Sequence, residues 1–349
     1  MDLRRAAPGF RSRRSDSTEL AAPRMAWRGA VSASAVMLVE RPALVAIGLA
    51  GFLARGGLLL FVLPVVVLPT TVGISNWIGA TSITASGPTA SLVWLLALAA
   101  IGASVAFLAG VVIGAAADLL LFREARDRVG EQDGAPPPLG PAIVLRLAAI
   151  RLAALVPFAL AVAWAASRVA AATYHELILP EELVTPLVLR VVDESRDALA
   201  VVFGAWLLSE TLGGIAIRHY LLRGGSTAMA LLRPIGDVVL RPITSVATLG
   251  LGLFAAVVAI APLLLIAWLA WGRLRIALVS AESIPLMFGT LAFVAIWLTA
   301  LVAAGTVASW RSLLGSFEVL RTRGATLPAA TTLPLAPAPL EPVGGRPAG

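Results

Sequence analysis

Two charged residues stand inside otherwise apolar runs. Arg55 interrupts ALVAIGLAGFLARGGLLLFVLP, and Glu210 interrupts AVVFGAWLLSETLGGIAI. A charge inside a bilayer is costly unless it is paired or faces a cavity. Counted from Ala43 and from Ala198 at ~1.5 Å per residue, each charge lies about 18 Å along its run. That is near the middle of a hydrocarbon core about 30 Å thick. The spacing predicts one intramembrane polar site shared by Arg55 and Glu210, between the first and fourth spans. A second reading gives Arg55 another polar partner, and a third makes Arg55, with Gly56 and Gly57, a break in a bent or re-entrant run.

Other chemistry is poorly supported. Ser209 and Thr211 flank Glu210, but no base is matched to a nucleophile. Glu181, Glu182, Asp193, Glu194 and Asp197 surround the apolar LVTPLVLRVV without a compact ligand spacing, so no metal is expected. His175 and His219 fall on opposite sides of the expected membrane and cannot form a joint site. There is no G-x-x-x-x-G-K-[ST], H-E-x-x-H or G-x-S-x-G motif. No cofactor is expected.

The elements that must position these charges follow from composition. Of 349 residues, 59% are hydrophobic and only 13% charged, where a soluble domain carries about 25% charged residues. Cysteine is absent, which excludes a disulfide scaffold. Six apolar runs, at about 43–70, 91–120, 152–173, 198–217, 245–271 and 284–309, approach or exceed the ~20 residues that cross a bilayer. Backbone groups in lipid must bond internally, so these runs are helices. The expected fold is all-α, a polytopic transmembrane bundle of six spans in three hairpins. A basic tail at 1–26 and a Pro/Ala-rich tail at 324–349 flank a membrane domain at 27–323. Both tails are expected to be disordered.

All 27 basic residues are arginine, and the net charge is +7. Assigning alternate loops to the cytoplasm puts 21 arginines inside and four outside, with Arg55 and Arg168 within spans. That distribution follows the positive-inside rule with both termini cytoplasmic. The arginines therefore orient the chain, and nucleic acid is not an expected partner. Short amphipathic segments at Trp27–Pro42, Pro141–Arg151 and Met229–Pro242 precede the three hairpins. Pro64, Pro157 and Pro262, one in each odd span, are expected to kink their helices.

In the second span Gly102, Ala106, Gly110 and Gly114 recur every four residues and lead to Asp118. Small residues on one face let another helix approach closely. Asp118 is expected near Arg123 and Arg126. Together these features point to a non-enzymatic integral protein of a bacterial inner membrane, with a structural, assembly or lipid-associated role. The alternative is a small transporter or permease subunit using Arg55 and Glu210. Expected partners are membrane lipids and another membrane protein or a second copy.

Overall fold

The computed structural model describes residues 25–62, 65, 83–84, 87–129, 139–178, 187–240, 242–280 and 283–322. The tails expected at 1–26 (residues 25 and 26 aside) and 324–349 lie outside the described residues, as do Pro64, Trp77 and Arg241. Six helical runs are long and apolar enough to cross a membrane: Ala43–Val62, Ala90–Val129, Val156–Glu176, Arg196–Arg223, Ala247–Val279 and Ile284–Thr322. This is a multi-pass, helical membrane protein.

In chain order the helices are α1 (Trp27–Glu40), α2 (Ala43–Phe52), α3 (Leu58–Val62), α4 (Ala90–Val129), α5 (Pro141–Ala154) and α6 (Val156–Ile178). They continue with α7 (Leu187–Glu194), α8 (Arg196–Arg223), α9 (Thr227–Leu240), α10 (Pro242–Ser280) and α11 (Ser283–Thr322). A two-residue antiparallel pairing joins Ile83–Thr84 to Gly87–Pro88. The three amphipathic segments form α1, α5 and α9. Proline opens α5 and α10, where its missing N–H has no intrahelical partner to lose. The chain breaks between α5 and α6 at Leu155, two residues before Pro157, whereas α10 runs on through Pro262.

Helices α4 and α11 are 40 residues each, about 60 Å long. That is roughly twice a hydrocarbon core. Their surfaces divide accordingly. From Ala90 to Ala109, α4 is exposed except at the half-buried Leu92 and Ala97. From Ile284 to Ala303, α11 buries only Ala300. Each exposed stretch is apolar and about 30 Å long. Beyond it both helices enter a packed core with α1, α5, the last turns of α8, and Ala230 of α9. Phe122, Leu147, Ile217, Leu313 and Phe317 fill that core. We call this end of the molecule basal.

Helix α2 is clamped between α4 and α11. A Cβ on Gly48 would overlap the Ser309 hydroxyl, which donates to Leu44 O at 2.7 Å. A Cβ on Gly305 would lie 2.9 Å from Val45 O, and one on Gly51 2.9 Å from Ala117 Cβ. Of the four-residue stripe on α4, Gly110 abuts the Ala54 carbonyl and Gly114 abuts Arg55. A Cβ on Gly102 would meet nothing within 4 Å among the described residues, and Ala106 is exposed. The stripe's basal half faces α2, while its other half lies on the exposed apolar stretch.

The rest of the membrane region packs in pairs. Helix α10 lies along α11, and α6 lies along α8 with α7 beside it. Helix α8 reaches α11 and α4, while α5 and α9 bridge its basal part to neighbouring helices. The upper parts of α8 and α10 thus stand on opposite sides of a groove.

Candidate functional site

The helix carrying Arg55 is broken at that residue. Leu53–Gly57 forms one wide turn, with Arg55 at φ −85°, ψ 19° and Gly56 at φ 98°, ψ −1°. Glycine accepts this positive φ without a Cβ clash. The wide turn lets Arg55 Nε donate back to Gly51 O at 3.0 Å. At the far end of α3, Phe61 O accepts from Trp297 Nε1 at 3.3 Å, and the two rings meet edge to face at 5.8 Å. A carbonyl that has run out of helix is satisfied there by a neighbour.

Arg55 and Glu210 line the same cavity but have other ion-pair partners. Arg55 Nη1 donates to Asp118 Oδ2 at 3.0 Å, and Ser312 Oγ donates to Asp118 Oδ1 at 3.2 Å. Glu210 is held between two guanidiniums, accepting from Arg151 Nη2 on one oxygen and from Arg311 Nη2 on the other. Arg151 Nη1 also donates to the Glu210 backbone carbonyl at 3.3 Å. In the first turn of α2, Leu44 packs into the basal core while Ala43 and Ala46 are exposed. Leu44 is only 3% exposed. Asp118 turns inward to Arg55 and to α11, where the sequence suggested Arg123 and Arg126.

A fourth arginine completes the cluster. Arg218 donates from Nε to Ser316 Oγ at 3.3 Å and from Nη2 to Ser312 O at 3.1 Å. It has no carboxylate ion pair among the described residues. Guanidinium groups stay protonated in proteins. Burial lowers Arg151 to about 9, with the nearby Arg55 charge adding to the shift, so Arg151 too is charged at neutral pH. Four cations thus meet two carboxylates, leaving a formal excess of two positive charges.

Each guanidinium arm lies across a glycine of a neighbouring helix. A Cβ on Gly114 would come 3.0 Å from Arg55 Cγ, and one on Gly213 2.8 Å from Arg151 Nη1. A Cβ on Gly252 would come 2.8 Å from Arg311 Cγ, and one on Gly315 2.7 Å from Arg218 Cζ. The helices approach closely because glycine leaves room for arginine between them. Of these residues the sequence reading singled out only Arg55, Glu210, Gly114 and Asp118. Arg151, Arg218 and Arg311 were counted as orientation charges. Adjacent Gly213 and Gly214, which meet Arg151 and Arg218, are the sequence signal for contacts of two of these arginines.

The cavity holds about 810 Å³, within the range of small-ligand sites. Its floor presents Arg55, Asp118, Glu210, Arg218, Arg311 and Ser312, with Glu318, whose carboxylate is paired to Arg321, at its edge. Its walls are Leu60, Phe203, Trp206, Leu253, Val257 and Leu264. Along α10 the lining runs from Thr244 to Leu264, about 30 Å of helix. The side chains of Arg151 and the two acids are 5–15% exposed, while Arg55 keeps 22% and Arg311 33%. No group of three metal-ligating side chains occurs among the described residues. The chain matches no family of known proteins, no curated protein and no solved structure.

Proposed function

We propose that this protein is a non-enzymatic, lipid-associated component of a bacterial inner membrane, and that its working site is this groove. The observation that carries the reading is a single cavity with a charged floor and long apolar walls. That combination suits an amphiphile, whose polar end binds the floor while its chains line the walls. The matched nucleophile and base that an enzyme needs are not apparent among the lining residues. We further propose three hairpins with both termini cytoplasmic, because the arginine distribution then follows the positive-inside rule. The basal end would be the cytoplasmic one.

The test is lipid analysis of protein purified in mild detergent. One or more lipid species should remain after extensive washing, enriched several-fold over their share of the source membrane. Recovery of lipids only in membrane proportions would reject the reading.

The broken helix at Arg55–Gly57 favours a second reading, a small transporter or permease subunit. Interrupted helices beside a polar cavity are common at transport sites. Transport requires the charged floor to be reached by water from both sides in turn, which thiol labelling within the groove measures.

A further inference from the structure

The charge balance of the floor narrows the headgroup. Asp118 and Glu210 neutralise only two of the four guanidiniums, and the third lining carboxylate, Glu318, is taken up by Arg321. Arg218 bonds only neutral oxygens among the described residues, and its Nη1 faces the Gly214 side of the cavity. Arg55, Arg218 and Arg311 all line the cavity, each from a different helical segment. Uncompensated charge in a poorly solvated site favours a counter-ion of matching valence. Arginine is the side chain best suited to phosphate oxygens, which it engages through paired N–H donors.

The position of the floor selects a lipid as the source. The exposed apolar stretch of α4 ends at Ala109, and that of α11 at Ala303. Gly114, against which Arg55 packs, is five residues further along α4, and Arg311 is eight beyond Ala303. At ~1.5 Å per residue these offsets are about 8 and 12 Å. The charges therefore come where a 30 Å hydrocarbon layer gives way to headgroups. Above them the groove between α8 and α10 is apolar. A lipid standing in the membrane would place its phosphate on the arginines and its chains along Phe203, Leu253 and Val257.

The geometry points to a lipid ending in a phosphate monoester, a dianionic headgroup, in preference to one with a singly charged phosphodiester. This rests on the lipid-associated reading and goes beyond it by naming the headgroup. Arg218 is the cation that the headgroup neutralises, and Arg311 and Arg55 flank it.

The experiment measures lipid binding to the full chain in neutral detergent by native mass spectrometry. Dioleoyl phosphatidic acid, dioleoyl phosphatidylglycerol and dioleoyl phosphatidylcholine share acyl chains and differ in headgroup. We expect phosphatidic acid to bind at least tenfold tighter than phosphatidylglycerol. Arg218→Gln should narrow that ratio below threefold while phosphatidylglycerol still binds, and Arg218→Lys should keep at least half of it. Equal binding of the two anionic lipids would overturn the headgroup assignment and leave the lipid reading standing. Equal binding of all three would overturn both. Displacement of phosphatidic acid by an equal concentration of inorganic phosphate would show that the floor takes free phosphate, and would overturn the lipid source. The wild-type ratio decides the matter even if Arg218→Gln does not fold.

Discussion

Arg218 lies against Gly315 so closely that a Cβ built on the glycine would stand 2.7 Å from the guanidinium carbon. Ser312 and Ser316, one on each side of that glycine in sequence, hold the guanidinium through oxygen acceptors. The side chain of α8 is thus inlaid in the backbone of α11. The same device recurs at Arg55, Arg151 and Arg311, and each instance makes a prediction.

Gly315→Ala should dislodge Arg218 and destabilise the protein by about 1–3 kcal/mol, the usual cost of overpacking. Gly102→Ala is the control, because nothing among the described residues lies within 4 Å of its added Cβ. It should be neutral or slightly stabilising, since alanine is the better helix former. Thermal unfolding of both variants in detergent checks the contrast. Equal losses would remove the inlay argument.

The ion pairs assign couplings. Arg55→Gln and Asp118→Asn should be strongly non-additive, because the side chains share a 3.0 Å bond and Asp118 is 8% exposed. Removing one member of a buried pair costs about 3–5 kcal/mol. Arg55 and Glu210 share no direct bond, so their double-mutant coupling should be the smaller of the two. A larger coupling for Arg55 with Glu210 would reverse the assignment.

The break at Gly56 is a backbone feature without a steric neighbour among the described residues. Its φ of 98° is strained for an L side chain, and nothing lies within 4 Å of a built Cβ. Gly56→Ala should therefore cost about 1–2 kcal/mol through conformation alone. Gly56→Asn should cost less, because asparagine tolerates this region better. Unfolding midpoints that rank asparagine below alanine would contradict that account.

Thiol labelling maps the groove in this chain without native cysteine. Thr211 lines the cavity, so Thr211→Cys should react with a membrane-impermeant maleimide from the basal side. Ser209 is fully buried, and a Cβ on Gly213 would meet Arg151 and Ala154. Cysteine at either position should be protected. Reaction of Thr211→Cys from both membrane faces would favour the transporter reading over the lipid-associated one.

Much of the architecture was legible in the sequence. Lipid as solvent demands long apolar helices, and that demand is written one residue at a time. The importance of Arg55 was legible for the same reason, since a charge stands out in such a run. Its partner was not. Depth counted along a run says nothing about which helices are neighbours, and it is α4 that brings a carboxylate, Asp118, to the break at Arg55. Hydropathy also ended the second and sixth spans at 120 and 309, because charge rises in LFREARDRV and in SWRSLLGSFEVLRT. The helices continue to Val129 and Thr322 because these segments retain good helix formers and bury their apolar faces in protein. Arg311 falls within the second of these segments, and Arg218 in the last turns of α8, just past residue 217 where hydropathy ends the fourth span. Their charges read as loop charges until the packing of α8 on α11 is known.

The central claim is that the groove beside α10 holds a lipid. Photo-crosslinking tests it directly, with benzoylphenylalanine placed at Val257 on the groove wall or at Val279, which is 89% exposed and outside the groove. Cells are irradiated, and the protein is purified through prolonged detergent washing and weighed intact. The account predicts a discrete lipid-mass adduct at Val257, several-fold more abundant than at Val279 and diminished by Arg218→Gln. Adducts of equal abundance and mixed mass at the two positions would contradict it.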